Sequence, residues 1–351
     1  MGNRVLVIGI DISKDDFHAC IKEKGIDDNV KVKGSSKFTN DGKGYKAFTA
    51  WVAKRETENC TTTYVMEATG SYYENLSYEL YNLGFTVCVE LPNKIKHFSK
   101  SLNVKTKTDK VDAGVIAQIG IERPLRAWLP LAPEYRSLRD LCRERLSITQ
   151  EKSKAKCQLH AMRHSHNKLE CVIELKEDQI AFYEASIKKI DKAIKRIVNA
   201  NSTIKKKVAR IEKVKGLGFE TIVTVLCETN GFMLFNSIRQ VVSYSGLDVQ
   251  MNDSGKHAGK SRISKKGNAR IRQCLYMPAL SATQHNERIK DLYGRIVERN
   301  PDIKKKGVIA GMRKLLILIF VLWKKNEEYN PNHKWNAKKT SDNEEVKPSF
   351  G

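Results

Sequence analysis

The sequence predicts an α/β domain followed by mainly helical structure, an α/β plus α chain. Three observations predict it: a β-branched run, RVLVIGIDI, at Arg4–Ile12; strand and helix signals that alternate through the first 120 residues; and an isoleucine seam, spaced by threes and fours, between Ile180 and Ile211. With 351 residues the chain is long enough for two or three packed units, each with its own core.

Taken in order, Arg4–Ile12 is apolar almost throughout, as a strand buried on both faces must be. Phe17–Ile21 and Val30–Val32 are short extended pieces, and Asp41–Lys54 carries Tyr45, Phe48 and Val52 at helical spacing. Thr61–Met66 is a strand, Tyr72–Leu83 a helix closed by Gly84, and Phe85–Leu91 a strand closed by Pro92. Long helix begins near Glu134, with Leu138, Leu141, Cys142 and Leu146 on one face. Ile180, Tyr183, Ile187, Ile190, Ile194 and Ile197, resuming at Ile204, Val208 and Ile211, predict a coiled-coil connector with Asn201 at a core position that fixes register. Pairing within one chain and pairing between chains are both open at this point. The expected domains are 1–130, 131–212 as the connector, 213–326, and a polar tail at 327–351 that is expected to be disordered. The apolar run Leu315–Trp323 is far shorter than the roughly 20 residues that span a bilayer, so it predicts a buried helix and no membrane partner.

Lys and Arg number 63 against 40 Asp and Glu, a formal charge of +23. Such an excess repels itself unless a polyanion neutralises part of it, and nucleic acid is the leading partner. Between Lys188 and Lys215 the chain holds eleven basic residues and two acids, and residues 255–275 hold seven basic residues and none. The eight cysteines form no CxxC pair and no signal peptide precedes the first strand, so a cytoplasmic location is expected.

Against this basic background four acids stand out. Asp11 closes the first strand, Glu67 ends a later one, and Asp109 and Asp112 lie one turn apart in TKTDKVDA. Carboxylates at strand ends and an i, i+3 pair on a helix can converge on a divalent cation, here expected to be Mg²⁺, which offsets their repulsion and stabilises charge on a phosphate in transit. The simpler reading of Asp109 is an N-cap for a helix beginning at Lys110. The order strand-Asp, strand-Glu, helix DxxD is that of the ribonuclease-H-like, RuvC-type nuclease fold. The actin-like kinase fold also opens with GID, but the second Asp-Gly-Gly phosphate loop it needs is not found.

EATGSYY at Glu67–Tyr73, LPN at Leu91–Asn93 and KTDKVDA at Lys107–Ala113 closely resemble the N-terminal domain of the insertion-sequence one-ten family of DEDD transposases, over about residues 4–120. The resemblance implies that Asp11, Glu67, Asp109 and Asp112 are the catalytic, metal-holding acids. Lys105–Thr106 stand where the family has a small residue. Over about residues 211–282, KGLGFETIVTVLCET, FNSIRQVVSYSGL, DSGK and SKKGNARIRQ resemble the family's small, mainly helical transposase domain, whose covalent nucleophile corresponds to Ser254. Two departures, the missing proline at Leu247–Val249 and Lys256 in place of a second glycine, keep Ser261 and Ser264 as alternatives.

The tight turn KGLG presents Lys215, Gly216 and Gly218 to phosphates. Lys256, Lys260, Arg262, Lys265, Lys266, Arg270 and Arg272 surround the serine loop, and Lys205, Lys206 and Lys207 lie on the basic face opposite the isoleucine seam. Cys157, His160, His164 and His166 match zinc spacing only loosely and read better as part of a solvated basic helix; the four tryptophans read as core or cap residues.

The resulting expectation is a DNA transposase or recombinase in which Ser254 attacks a phosphodiester with Mg²⁺ assistance. The resemblance further implies double-stranded DNA partners at element ends and target, a structured guide RNA, and a homodimer or dimer of dimers. The alternatives are a metal-dependent junction or RNA nuclease that uses the same acids for water attack without a covalent serine, and a non-enzymatic nucleic-acid scaffold in which the acids are dispersed.

Overall fold

The computed structural model describes residues 4–56, 60–251, 253–254, 257–258 and 262–330, with only the backbone of residues 253, 254, 257 and 258. The chain separates into two compact units, Met1–Pro130 and Leu131–Gly351.

The first unit is built on strands β1 (Arg4–Ile12), β2 (Asp16–Lys24), β3 (Val30–Thr39), β4 (Cys60–Glu67) and β5 (Thr86–Glu90), with helices α1 (Gly42–Ala53), α2 (Tyr72–Asn82), α3 (Pro92–Ser101) and α4 (Asp109–Glu122). The sheet order is β3-β2-β1-β4-β5. The β1–β2 and β2–β3 pairs are antiparallel, whereas β4 runs parallel to β1 and to β5. Side chains alternate across each strand, and the two faces of β1 show it. Leu6, Ile8, Ile10 and Ile12 join Phe48, Val52, Leu76 and Leu80 of α1 and α2 in one core. Val7 joins Val65, Ile95, Phe98 and Ala117 in another, under α3 and α4. This is the layered, mixed-sheet architecture expected from the order of the acids.

Two elements depart from the sequence reading. Pro92 does more than end a strand: it occupies the first turn of α3, where its missing N–H costs nothing, and Ile95 and Phe98 bury that helix. The extended piece at Val30–Val32 continues to Thr39 as an edge strand, hidden by the polar stretch KGSSK.

In the second unit, α5 (Pro133–Arg163) and α6 (Glu170–Ala200) are followed by α7 (Ser202–Ile211), α8 (Phe219–Glu228) and α9 (Ile238–Ser245). Short strands β6 (Val249–Gln250), β7 (Asp253–Ser254), β8 (His257–Ala258) and β9 (Arg262–Ile263) lead to α10 (Ala269–His285), α11 (Glu287–Arg299) and α12 (Lys305–Lys325). Helices α5 and α6 pack on each other within the chain. Their ion pairs, Arg163–Glu177, Lys156–Glu184 and Arg145–Asp191, advance along one helix as they retreat along the other, the register of an antiparallel hairpin. Ile187 and Ile194 of the seam are buried.

Asn201 does not sit in a continuous seam. It breaks the helix and caps α7, its side-chain oxygen accepting from the Ile204 N–H at 3.1 Å. An asparagine favours that role because its short amide reaches the free N–H groups of the next first turn. Leu138, Cys142, Ile194 and Val198 at the base of the helix pair share one core with Leu315, Leu316 and Ile319 of α12. The structure therefore forms one compact unit where the sequence reading placed a connector, 131–212, and a separate domain, 213–326. Leu315–Trp323 lies in α12 as expected, and no described helix is long and apolar enough to cross a membrane. Of the expected polar tail, residues 331–351 lie outside the described residues.

Candidate functional site

Ile10 of β1 pairs with Met66 of β4, so Asp11 and Glu67 are the next residues on neighbouring strand ends. They lie two positions beyond Gly9 and Val65, and therefore on the face that α4 covers. A Cβ at Gly9 would stand 2.2 Å from both the Ala113 carbonyl oxygen and the Ala117 amide nitrogen, and one at Gly120 would stand 2.6 Å from Val7 Cγ1. These contacts seat α4 directly on β1, running antiparallel to it, so that its first turn, with Asp109 and Asp112, reaches the strand ends that carry Asp11 and Glu67. Thr108, not Asp109, is the N-cap, its hydroxyl accepting from Val111 N–H at 3.3 Å. Asp109 is thereby freed from the capping role that was its simpler reading.

Because Gly9 has no room for a side chain against helix backbone, Gly9→Ala should destabilise the protein by about 1–3 kcal/mol, the usual cost of overpacking. The urea midpoint measures this, and an unchanged midpoint would contradict the seating of α4.

The four acids feel one another. Burial, then the negative charges of Asp112, Asp109 and Glu67, push the Asp11 carboxyl up to about 6. Burial and Asp112 raise Glu67, and burial leads the rise at Asp112; the Lys107 ammonium works in the opposite direction on all three. Among the described residues no three His, Cys, Asp or Glu side chains stand close enough to cage a metal, so the four acids that were expected to converge are coupled by charge but do not form a closed ligand cage. The chemistry of the donor set still fits a hard divalent ion: four carboxylates, two on rigid strand ends and two on one helix turn, offer the oxygen ligands such an ion takes. Sequence reading did not single out Lys107 or His18. His18 pairs with Asp11 across β1–β2, and its Nδ1 is buried without a hydrogen-bond partner.

The second unit sorts the basic candidates. Lys205 and Lys206 are exposed on α7, but Lys207 turns inward, its Nζ donating to the Trp323 carbonyl at 3.2 Å and lying 4.8 Å from the Trp323 ring centroid. Arg210 and Lys213 of the same basic run pair with Glu328. Lys215 is exposed, and its carbonyl accepts from Asn286. Gly216 has φ +98°, and a Cβ there would meet Ala282 Cβ at 2.7 Å, so close packing on α10 already explains this glycine. Gly218 is the N-cap of α8.

Strands β6 and β9 pair Gln250 with Arg262, and β7 and β8 pair Ser254 with His257. Ser254 thus lies on a paired strand rather than in an irregular loop. Lys256, Lys260 and Ser261 fall outside the described residues. Ser264 is a turn residue whose hydroxyl donates to Asp248 Oδ1 at 2.5 Å. Lys265, Lys266 and Arg270 are exposed, whereas Arg272 donates to the carbonyls of Ser245 and Gly267 and so ties this turn to α9.

Behind the turn lies a network that the sequence did not reveal. Glu228 accepts a two-pronged contact from Arg143 at 2.8 and 2.9 Å and a third hydrogen bond from Asn268 Nδ2 at 2.8 Å. Asn268 in turn caps α10 by accepting from Arg270 N–H and Ile271 N–H. These donors hold the Glu228 carboxyl below its usual range despite its burial.

His160 and His164 are exposed on α5, where their rings stack at 4.3 Å between centroids. Trp51, Trp128 and Trp323 pack against other side chains, as core or cap residues do; Trp335 lies outside the described residues.

A family model described as "Transposase", of the DEDD IS110 type, matches residues 8–165. A second, described as "Transposase IS116/IS110/IS902 family", matches residues 208–294. Relatives named "Pilin gene-inverting protein" from Moraxella bovis and Moraxella lacunata are each 27% identical over 324 residues, which is 92% of this chain and 97% of the relative.

Proposed function

Because the chain belongs to the IS116/IS110/IS902 family of DEDD transposases, DNA-recombining enzymes with a RuvC-like domain, we propose that it cuts and rejoins DNA through a covalent link to Ser254. The observation that carries this reading is the set of four electrostatically coupled carboxylates over the ends of β1 and β4 in a chain of charge +23. In the proposed reaction the Ser254 hydroxyl oxygen attacks a DNA phosphorus, the phosphodiester P–O bond breaks, and the serine proton passes through solvent to the departing strand oxygen. Attack by the hydroxyl of a second strand reverses these steps and restores the serine. Asp11, Glu67, Asp109 and Asp112 would hold Mg²⁺, which supplies Lewis-acid stabilisation of charge on the reacting phosphate. Exposed Lys265, Lys266 and Arg270 hold the DNA backbone in position. Exchange requires cuts on two duplexes, which favours a dimer or dimer of dimers. The relatives' name describes inversion of a gene, a rearrangement that the same cut-and-rejoin chemistry accomplishes.

A structured RNA encoded beside the gene is the proposed guide, and the exposed basic residues of α7 suit its phosphates. If so, log affinity for nucleic acid should fall linearly with log salt, and reversing Lys205 and Lys206 together should reduce the slope by about 1 to 2. Lys207→Glu should instead lower thermal stability through the lost Trp323 contact. A salt-independent affinity would remove the polyanion role of this face. The direct test is recombination: purified protein, Mg²⁺, flanking RNA and a plasmid carrying the element ends should give joined products without ATP. Cleaved products that are never rejoined would favour the metal-dependent nuclease.

A further inference from the structure

Within the second unit, helices α5 and α6 on one side and α8 and α10 on the other enclose a cavity of about 430 Å³. Buried Ile194 and Val223 contribute apolar surface to it, and half-buried Phe219 and exposed Met277 also line it. Phe219 is half-buried, packs against the core of the unit and makes no aromatic ring contact among the described residues. An apolar slot with a flat, unstacked ring in its wall is suited to a planar apolar-faced group.

Charge narrows the occupant. Of the three arginines that line the cavity, two are taken up by carboxylates: Arg143 by Glu228, and Arg145 by Asp191 and Glu220. Lys195 and Arg270 line it as well, are exposed, and have no hydrogen bond or ion pair to their side chains among the described residues. The exposed amide of Gln273, also without a partner there, offers both a donor and an acceptor. The site therefore combines an aromatic wall, a two-way hydrogen-bonding group and two exposed cations, of which Arg270 also feels the Glu228 carboxylate without pairing with it. We propose that this cavity receives one unstacked nucleobase of a single-stranded nucleic acid, with the base against Phe219 and Met277 and the adjoining phosphates on Lys195 and Arg270. A paired base cannot enter, since its faces are covered by neighbours and its edge by its partner, so the occupant comes from a loop, a bulge or a displaced strand. The proposal rests on the nucleic-acid reading given above and adds a contact to a base where that reading has contacts to phosphates only.

The test compares binding of the full chain to a 20-nucleotide oligothymidine strand and to an abasic strand of the same length and charge. Stacking is worth about 1–3 kcal/mol per base, so oligothymidine should bind roughly tenfold tighter or more. Phe219→Leu keeps apolar bulk in the core but removes the ring, and it should shrink that ratio severalfold while leaving abasic binding unchanged. In wild type, a strand carrying 4-thiothymidine should photocrosslink to the peptide containing Phe219 or Met277. Equal binding of the two strands, an unchanged ratio in Phe219→Leu, or crosslinks confined to other peptides would overturn the base pocket while leaving phosphate binding intact. If neither strand binds even at low salt, the nucleic-acid reading itself falls, and the pocket with it.

Discussion

Asp11→Asn should lower DNA strand cleavage by at least about three orders of magnitude, close to 4 kcal/mol of lost transition-state stabilisation at 1.36 kcal/mol per tenfold. The amide is nearly isosteric with the carboxylate, so β1 and its register with β4 should persist. What is lost is a negative donor on the rigid strand end between the other acids. Retention of DNA should be unchanged, because neutralising one acid in a basic protein does not weaken phosphate contacts. The same substitution should act on stability in the opposite direction. In the metal-free protein the Asp11 carboxyl titrates at about 6, above its ordinary 3.8. Across that window the folded state binds more protons than the unfolded chain, so this group makes stability fall as pH rises from about 4 to about 6. Asp11→Asn removes the titration: its melting temperature should match wild type near pH 4 and exceed it at pH 7 without divalent ions. Adding Mg²⁺ should raise the wild-type melting temperature and leave the variant little changed. A variant that cleaves at the wild-type rate would remove Asp11 from the chemistry.

The core of the first unit was legible in the sequence because its signals are local. Strand β1 is apolar almost throughout, since helices cover both of its faces, and Tyr45, Phe48 and Val52 repeat at helical spacing on α1. Asp11 and Glu67 could be placed for the same reason: each follows an apolar strand, and parallel pairing brings the ends level. Legibility stopped where partners are distant in sequence. Pro92 reads as a strand terminator until α3 is seen to bury Ile95 and Phe98. Asn201 matches the isoleucine spacing, and only its hydrogen bond to Ile204 N–H shows that the helix breaks there. Lys207 is indistinguishable in sequence from Lys205 and Lys206, yet Trp323, more than a hundred residues on, turns it inward. Glu228 gave no signal at all, because its meaning lies in Arg143 and Asn268, which no periodicity connects.

Ser254→Ala should abolish the covalent protein–DNA intermediate while leaving fold and DNA binding intact, and this result separates recombinase from hydrolytic nuclease. A phosphoserine link conserves the energy of the broken phosphodiester, so a second strand can be joined without ATP, whereas attack by water discards it. The serine matters only to the first mechanism. The substitution removes one oxygen on the two-residue strand β7, so the change in stability should stay within about 0.5 kcal/mol. A nicked or suicide DNA substrate, incubated with Mg²⁺ and denatured, should show a protein–DNA adduct with wild type and none with Ser254→Ala. Asp11→Asn should also give none, which ties the acids and the serine to a single step despite their places in different units. An adduct that persists in Ser254→Ala would move the nucleophile to Ser261, since the hydroxyl of Ser264 is committed to Asp248. Cleavage by wild type with no adduct at any time would leave water as the nucleophile and the four carboxylates as a nuclease site.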